Sequence, residues 1–301
     1  MTSTQHVRVE GSSYQRGCQY GRQAATRVRL SVQAYQQIFA HFADWDWPTV
    51  RREAARFEAP IGSVMPAYLE ELRGIADGAG LDLADVLAIN VRTEVMYAAK
   101  ARQAPRSGTQ PQAPPECSAF ACVPAPGQND PVLIGQNWDW LLHSAQTLVV
   151  LEVRQDEGPD FVTVVEAGLL AKTGMNAAGL GLVTNALVTD ADVGEPGLPY
   201  HVLLRAVLDC TTITDALEVL QAGVQRFGLD RAADADHRDP VPFLEGAGAG
   251  QRDQLARRAP SHRAMSSCSK GTWQGLPAAS QMRRAVRSIS TEAMVAPCSH
   301  G

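Results

Sequence analysis

The chain has 301 residues, of which 45% are hydrophobic, so it can bury a sizeable core in one large domain or two smaller ones. Lysine and arginine (27) nearly balance aspartate and glutamate (32), and the formal charge of -5 gives no basic footprint for nucleic acid or an anionic membrane. No apolar run approaches the ~20 residues of a membrane span. The N-terminal stretch MTSTQHVRVEGSSYQRG lacks the basic start and apolar core of a secretory signal.

The six cysteines are scattered and show no C-x-x-C spacing, which argues against a zinc site and against a disulfide scaffold. We therefore expect no metal and a reducing, cytoplasmic setting. The cysteines are Cys18, Cys117, Cys122, Cys210, Cys268 and Cys298.

Residues 1–100 are predicted to be helical. One apolar stripe at spacings of four, three, four and three consists of Val28, Val32, Tyr35, Phe39 and Phe42. A second helix is expected near WPTVRREAARF, and a third in MPAYLEELRGIADGAG.

The signals for helix ends agree with these assignments. Pro48 suits the first turn of the second helix. Gly78 and Gly80 supply a stop for the third helix, and Asp82 is a candidate cap for the next one.

Residues 101–116 contain four prolines, three glutamines and one glycine without apolar periodicity, and they are interpreted as an exposed linker accessible to cleavage. After the linker the pattern changes to short β-rich runs separated by turn residues, which predicts consecutive antiparallel hairpins. These runs are SAFACV, PVLIGQNWDW, TLVVLEVRQ, DFVTVVEAG and GLGLVTNAL, and a helical segment from LPYHVLLRAV follows them. Cys122 would face away from Cys117 and is expected in the core.

Cys117 begins the first of these strands directly after the linker. A cysteine is a nucleophile only as a thiolate, so a base must accept its proton. None of the seven histidines forms a recognisable Cys–His signature, although a distant histidine stays open as the base. If the peptide bond before Cys117 is cut, the freed α-amino group, with a pKa near ~8, becomes a suitable base.

Several motifs together resemble the acyl-CoA:6-aminopenicillanic-acid acyltransferase family of N-terminal nucleophile (Ntn) hydrolases, relatives of the choloylglycine hydrolases. They are ECSAFAC (116–122), GQNWDW (135–140), VEAGLLAKTGMNAAGLGLVTNAL (165–187) and GLPYHVLLRAVLD (197–209), with YQRGCQYGR, YLEELRGIADGAG and NVRTEV upstream. The resemblance covers roughly residues 10–225.

The resemblance implies an α+β fold of the αββα sandwich type and a precursor that cleaves itself at the Glu116–Cys117 bond. The products would be a helical α chain, 1–116, and a β chain whose core spans 117–225. The family more often has Gly before the cysteine, so Glu116 is a departure.

The resemblance also assigns catalytic residues. Cys117 would be the nucleophile, Asp139 would orient the nucleophile or its amine, and Asn185 would offer a backbone N–H to the oxyanion hole. The alternatives are a surface Asp and an Asn at a strand end. Asn137 shares a face with Asp139, which suits a role in the site, but its side chain would also suit a purely structural role as a hydrogen-bond partner for backbone groups.

Five further residues are candidates for a structural or a functional role. Glu166 and Lys172 match the family but would also suit a structural ion pair or plain surface charges, while Arg92 and Glu94 are expected to tie the helical region to the sheet. His201 is expected to be a structural histidine at a helix end.

Residues 226–301 are atypical, with ten arginines, three aromatic residues and no alternating run. The family's later strands and its TNH motif, which supplies a second oxyanion donor, are absent from the sequence. Either this region has diverged, or the reading frame changes near Arg226. If FGLD is encoded TTC-GGC-CTC-GAC, the same nucleotides encode Ser-Ala-Ser when they are translated one nucleotide onward, which is the kind of strand start the family shows. The second explanation predicts a poorly ordered tail.

The function implied is a self-processing cysteine amidohydrolase or acyltransferase. It would act on a small-molecule amide or acyl donor through an acyl-enzyme, with no metal or bound cofactor, and acyl-CoA enters only as a co-substrate by resemblance. The rival is a truncated or degenerate relative that is not an enzyme. A third interpretation is a cysteine enzyme that uses a distant histidine without self-cleavage.

Overall fold

The structure is a computed structural model that describes residues 4–103, 117–122, 132–141, 144–185 and 197–226. The helices in these ranges are α1 (Ser13–Gln23), α2 (Ala25–Ala43), α3 (Trp47–Ala55), α4 (Glu58–Val64), α5 (Pro66–Ala79), α6 (Leu83–Asn90), α7 (Arg92–Gln103), α8 (Ser144–Thr147), α9 (Tyr200–Val207) and α10 (Ile213–Arg226). The strands are β1 (Gln5–Val9), β2 (Ser118–Cys122), β3 (Leu133–Asn137), β4 (Leu148–Val153), β5 (Phe161–Glu166), β6 (Thr173–Asn176) and β7 (Gly181–Leu182). The α+β prediction is confirmed.

The described strands form two sheets. One has five strands in the order β1-β4-β5-β6-β7, and the other is the hairpin of β2 and β3. The predicted antiparallel pairing is confirmed for β2–β3 and β4–β5, whereas β6, which was not predicted, lies between β5 and β7 and is antiparallel to both. One unbroken series of hairpins was wrong, because β3 and β4 belong to different sheets.

Strand β1 was not predicted. It pairs in parallel with β4, with Val7 opposite Leu151 and Val9 opposite Val153. Strands β4 and β5 are buried along nearly their whole length, as expected for strands that are covered on both faces. The centre of the core therefore lies on these two strands.

Helix α2 buries four of the five residues of its predicted stripe: Val28, Val32, Tyr35 and Phe39. The fifth assignment was wrong, because Phe42 is 46% exposed near the C-terminal end of the helix. At that end the buried residue is Ala43, and Phe42 instead packs against the edge of the His41 ring.

Helices α1 and α5 pack with their backbones in close contact through glycines on both helices. A Cβ atom placed on Gly17 would lie 2.2 Å from the Glu71 carbonyl oxygen, and one on Gly74 would lie 2.3 Å from the Tyr14 carbonyl oxygen. Gly78, predicted to end α5, instead lies within the helix at this contact. Gly80 is the C-cap, with a left-handed φ of 66° that favours glycine.

The predicted start of α3 is confirmed. Pro48 lies in the first turn, and the Asp46 carboxylate accepts a hydrogen bond from the Thr49 N–H at 2.9 Å. Asp82 is the N-cap of α6 by position, but its side chain makes no capping hydrogen bond and instead pairs with Arg51.

The β2–β3 hairpin is largely exposed, and the prediction that Cys122 lies in the core was wrong. Within the described ranges β2 and β3 pair only with each other, and the side chains beside Cys122 are solvent-accessible. The exposed apolar residues of this region are Phe120, Val132, Leu133 and Ile134.

In the part of the chain that the structure describes, no helix has the length and apolar character needed to cross a membrane. Residue Glu116, most of the predicted linker (104–116) and residues 227–301 lie outside the described residues. The domain boundaries, the cleavage site and the interpretation of the C-terminal region therefore stay predictions.

Candidate active site

Cys117 is half-buried and lies directly before β2. The hairpin register pairs Ser118 with Asn137, so Cys117 falls one step beyond the ladder, opposite Trp138. Its Sγ atom lies 4.0 Å from the backbone carbonyl oxygen of Asp139. The segment that follows β3 therefore lies next to the thiol.

Side chains alternate along GQNWDW as they do in a strand. Gln136, Trp138 and Trp140 are partly buried, while Asn137 and Asp139 are exposed. The face predicted to be functional, that of Asn137 and Asp139, is therefore the outer one. Asp139 approaches the thiol through its main chain.

Lys172 lies on the inner face of this segment. Its Nζ atom is 3.4 Å from the centroid of the Trp138 ring and 5.6 Å from that of Trp140, and the residue is only 8% exposed. Burial, with a smaller contribution from the Arg92 charge, lowers the pKa of Lys172 to about 7, while Glu166 and Cys117 oppose the shift. This amine is close to half-protonated at neutral pH.

A buried carboxylate, Glu166 at the end of β5, organises the groups behind Lys172. Glu166 accepts from Arg92 Nη2 at 2.9 Å, from the Tyr35 hydroxyl at 3.0 Å and from Ser144 Oγ at 3.2 Å. Of the two alternatives for Glu166 and Lys172, their mutual ion pair is not formed. Glu166 is paired with Arg92, and this pair ties α7 to the sheet as expected.

His201 is fully buried next to the same cation. Its Nε2 atom lies 2.7 Å from Arg92 Nη1, and its Nδ1 atom lies 3.0 Å from the Ala171 carbonyl oxygen. Since an arginine only donates, Nε2 accepts and Nδ1–H donates to the carbonyl. Burial and the Arg92 charge hold the pKa of His201 well below its usual range. Both ring nitrogens are occupied, so this histidine is poorly placed to take a proton from Cys117.

Gln136 connects the hairpin to the five-stranded sheet. Its Oε1 atom accepts from the Thr184 N–H at 3.1 Å and from the Thr173 hydroxyl, and its Nε2 atom donates to the Thr184 carbonyl. The side chain thereby holds both backbone groups of the residue before Asn185. Ile134 adds an apolar contact, because its Cδ1 atom packs so close to Gly181 that a Cβ atom there would clash with it.

Asn185 follows β7 and is half-buried, and its Oδ1 atom is buried without a hydrogen-bond partner among the described residues. Glu94 on α7 accepts a hydrogen bond from the Tyr200 N–H at 2.7 Å, so it ties α7 to α9 rather than to the sheet. Its other oxygen, Oε2, has no hydrogen-bond partner in the described part of the chain, and burial raises the pKa of this carboxyl.

Sequence reasoning did not single out Gln136, Trp138 or Tyr35. The alternation in GQNWDW could have indicated the first two, because a residue that shares a face with two tryptophans is expected to point inward. Tyr35 appeared in the sequence only as a core residue of α2. Its contact with Glu166, 131 residues away in the chain, has no local signal.

Comparisons with known proteins found similarity to the family that the sequence motifs resemble. The model of the family described as acyl-coenzyme A:6-aminopenicillanic acid acyl-transferase matches residues 126–237. A protein of Emericella nidulans named acyl-coenzyme A:6-aminopenicillanic-acid-acyltransferase 40 kDa form is 27% identical over 222 residues, which cover 73% of this chain and 57% of that protein. The family resemblance predicted from the motifs is thereby confirmed, and the chain spans less than two thirds of the length of this relative.

Proposed function

We propose that this protein is a self-processing cysteine Ntn acyltransferase or amidohydrolase. Cleavage of the Glu116–Cys117 bond would free the α-amine of Cys117, and the thiol would then attack an amide or thioester carbonyl. Support comes from the family match and from the position of Cys117 at the start of a hairpin beside a buried, charged cluster.

One observation carries the proposal furthest. Among the described residues, six buried side-chain polar atoms lack a hydrogen-bond partner, and three of them belong to Glu94, Trp138 and Asn185. A buried polar atom without a partner costs about 1–3 kcal/mol, so a cluster of such atoms is expected where a polar ligand supplies the missing bonds. Contacts through Tyr200, Gln136 and Lys172 connect this cluster to the surroundings of Cys117.

We propose that the complete fold is an αββα sandwich, in which the five-stranded sheet is one layer and the β2–β3 hairpin belongs to the second. Gln136 and Ile134 dock the hairpin on the β6–β7 end of the first sheet. This arrangement places the chain after β3 next to the chain after β7, where a nucleophile and an oxyanion donor would meet.

The chemistry follows from these groups. The α-amine of Cys117 takes the thiol proton, Sγ attacks the acyl carbonyl, and the amine returns the proton to the leaving group. The backbone N–H of Asn185 stabilises the oxyanion, and Asp139 orients the amine through its main-chain carbonyl, the group of this residue that lies near the thiol. Water or a second amine then takes the acyl group. By analogy with the name of the relative, the donor is an acyl-CoA and the acceptor an amine, with no metal or bound cofactor.

Acyl-enzyme trapping tests this proposal. Purified protein is incubated with p-nitrophenyl phenylacetate, and the mass of the Cys117 fragment is measured. The expected result is one phenylacetyl group on wild-type Cys117 that hydroxylamine removes, and none on Cys117→Ala. Absence of the adduct from a folded, cleaved wild-type protein would favour the rival interpretation, a degenerate relative that is not an enzyme.

A further inference from the structure

Self-cleavage poses a problem of proton transfer that the α-amine cannot solve. Until the bond before Cys117 is cut, its nitrogen belongs to a peptide group and has no basic lone pair. A thiol nonetheless has to lose its proton to attack the preceding carbonyl. The uncut chain therefore needs a second base near Cys117, and this need rests on the proposed function.

Among the described groups near Cys117, most candidate bases are already occupied. His201 has both ring nitrogens engaged. Glu166 accepts hydrogen bonds from Arg92, Tyr35 and Ser144. Glu94 has one oxygen without a partner among the described residues, but its described contact is with the Tyr200 N–H on α9 and not with Cys117 or the neighbouring Trp138.

Lys172 is different. Its ammonium lies over the ring of Trp138, the residue opposite Cys117, and in the described part of the chain it makes no hydrogen bond or ion pair. The backbone of Lys172 is held in place, because its N–H donates a hydrogen bond to the hydroxyl of Thr163 on β5. An amine held by aromatic faces keeps its lone pair free when it is neutral, and the pKa of about 7 makes the neutral form abundant at neutral pH.

We propose that Lys172 is the general base that activates Cys117 for self-cleavage. Lys172 Nζ takes the Sγ proton as Sγ bonds to the carbonyl carbon of residue 116. The bond between that carbon and the Cys117 nitrogen then breaks, and the leaving nitrogen takes the proton from Lys172. A thioester and a free α-amine result. Water hydrolyses the thioester, supplying hydroxyl to the acyl carbon and a proton to Sγ.

The experiment follows cleavage of the full chain made by cell-free translation. Lys172→Met keeps an unbranched apolar side chain but removes the amine, while Lys172→Arg keeps the charge but does not deprotonate. Since general bases contribute about 10²–10⁴-fold, both variants are expected to cleave roughly 10²-fold or more slowly than wild type. Arg22→Met, which removes an exposed cation of α1, is the matched control and should cleave at the wild-type rate.

Hydroxylamine identifies the step. It cuts a thioester, so it would release fragments from any chain that has completed the acyl shift but not hydrolysis. The expected result is no release from Lys172→Met. Wild-type rates in either Lys172 variant, or a thioester that accumulates in Lys172→Met, would overturn the role of Lys172 while leaving self-cleavage intact. A wild-type chain that never cleaves would instead contradict the proposed function.

If both Lys172 variants misfold, the pH dependence of wild-type cleavage tests whether Lys172 is the base. The charged groups that influence Lys172 are Arg92 on α7, Glu166 on β5 and Cys117. The cleavage rate should rise with pH up to about 7 and level off above it, as Lys172 becomes neutral. A rate that still increases about eightfold between roughly pH 7 and pH 8 would indicate direct ionisation of the thiol, whose ordinary pKa is near 8.5, and would overturn the proposal.

Discussion

Arg92 Nη2 lies 2.9 Å from Glu166 Oε2, and both side chains are almost completely removed from solvent. This pair joins the first residue of α7 to the last residue of β5, so it links the region predicted as the α chain to the region predicted as the β chain. His201 and Tyr35 extend the network on either side. The same cluster that holds the two regions together lies behind the candidate nucleophile.

Glu166→Gln is expected to destabilise the protein strongly. The substitution keeps the shape of the side chain but leaves the Arg92 cation buried without its counter-ion, which typically costs about 3–5 kcal/mol. The free energy of unfolding would be measured by urea denaturation in a Cys117→Ala background, so that cleavage does not intervene.

Arg73→Met provides the comparison for this prediction. Arg73 pairs with Glu70 on an exposed helix surface, so its loss should cost no more than ~1 kcal/mol. If Glu166→Gln is as mild as Arg73→Met, the buried network does not hold the two regions together.

Gln136→Ala is expected to reduce turnover more than Asn185→Ala. Gln136 fixes both backbone groups of Thr184 and thereby the direction of the following N–H, whereas Asn185→Ala leaves that N–H in place. Loss of an oxyanion donor lowers kcat by about 10²–10³-fold, and misdirection by Gln136→Ala should approach that range with a smaller change in KM. Steady-state hydrolysis of p-nitrophenyl phenylacetate by the cleaved proteins provides the comparison. A larger loss in Asn185→Ala would assign the role to the Asn185 side chain.

The buried amine of Lys172 should make stability depend on pH. Its pKa is about 7 in the folded chain and near 10.4 when unfolded, so between these values the unfolded chain binds more protons. The free energy of unfolding of Cys117→Ala should therefore rise, relative to the Cys117→Ala, Lys172→Met double variant, by up to about 1.4 kcal/mol per pH unit above pH 7. Urea denaturation at one-unit intervals from roughly pH 6 to pH 9 covers the pH range in which this rise in the free energy of unfolding begins. A difference that is constant across this range would show that Lys172 stays charged in the folded chain.

Gly17→Ala should destabilise the contact between α1 and α5. The new Cβ atom would meet the backbone of Glu71 at 2.2 Å, and neither backbone can move without separating the helices. Overpacking of this kind costs about 1–3 kcal/mol, which outweighs the ~1 kcal/mol that alanine adds in helix propensity.

Gly62→Ala is the control for the helix contact. Its Cβ atom would meet only the end of the Leu69 side chain, at 2.9 Å, and that side chain can rotate away. Thermal unfolding should show a lower Tm for Gly17→Ala and little change for Gly62→Ala. Equal effects would mean that the glycines do not set the distance between the helices.

Local pattern made much of the helical region predictable. The stripe of α2 and the proline and aspartate at the start of α3 lie within a few residues of one another, and the structure confirms them. Strand β1 was missed because it is a single short strand that pairs with β4 far along the chain. Cys122 was misplaced because the strand pattern indicates alternation but not which elements cover each face.

In the candidate site, too, the sequence indicated which residues to consider but not the contacts between distant parts of the chain. Motif order pointed to Cys117, Asp139 and Asn185, and their roles stay predictions. That Glu166 pairs with Arg92 while Lys172 stacks on Trp138 could not be predicted, since both carboxylate and amine were consistent with a mutual ion pair. Such choices depend on burial and on the orientation of side chains from four different elements.

The central claim is that Cys117 becomes an N-terminal nucleophile, and the intact mass of the purified full-length protein tests it most directly. The account predicts two fragments that meet between Glu116 and Cys117 in the wild type and one uncut chain in Cys117→Ala. A single uncut chain in both proteins would contradict it, as would a cut at the same place in the variant.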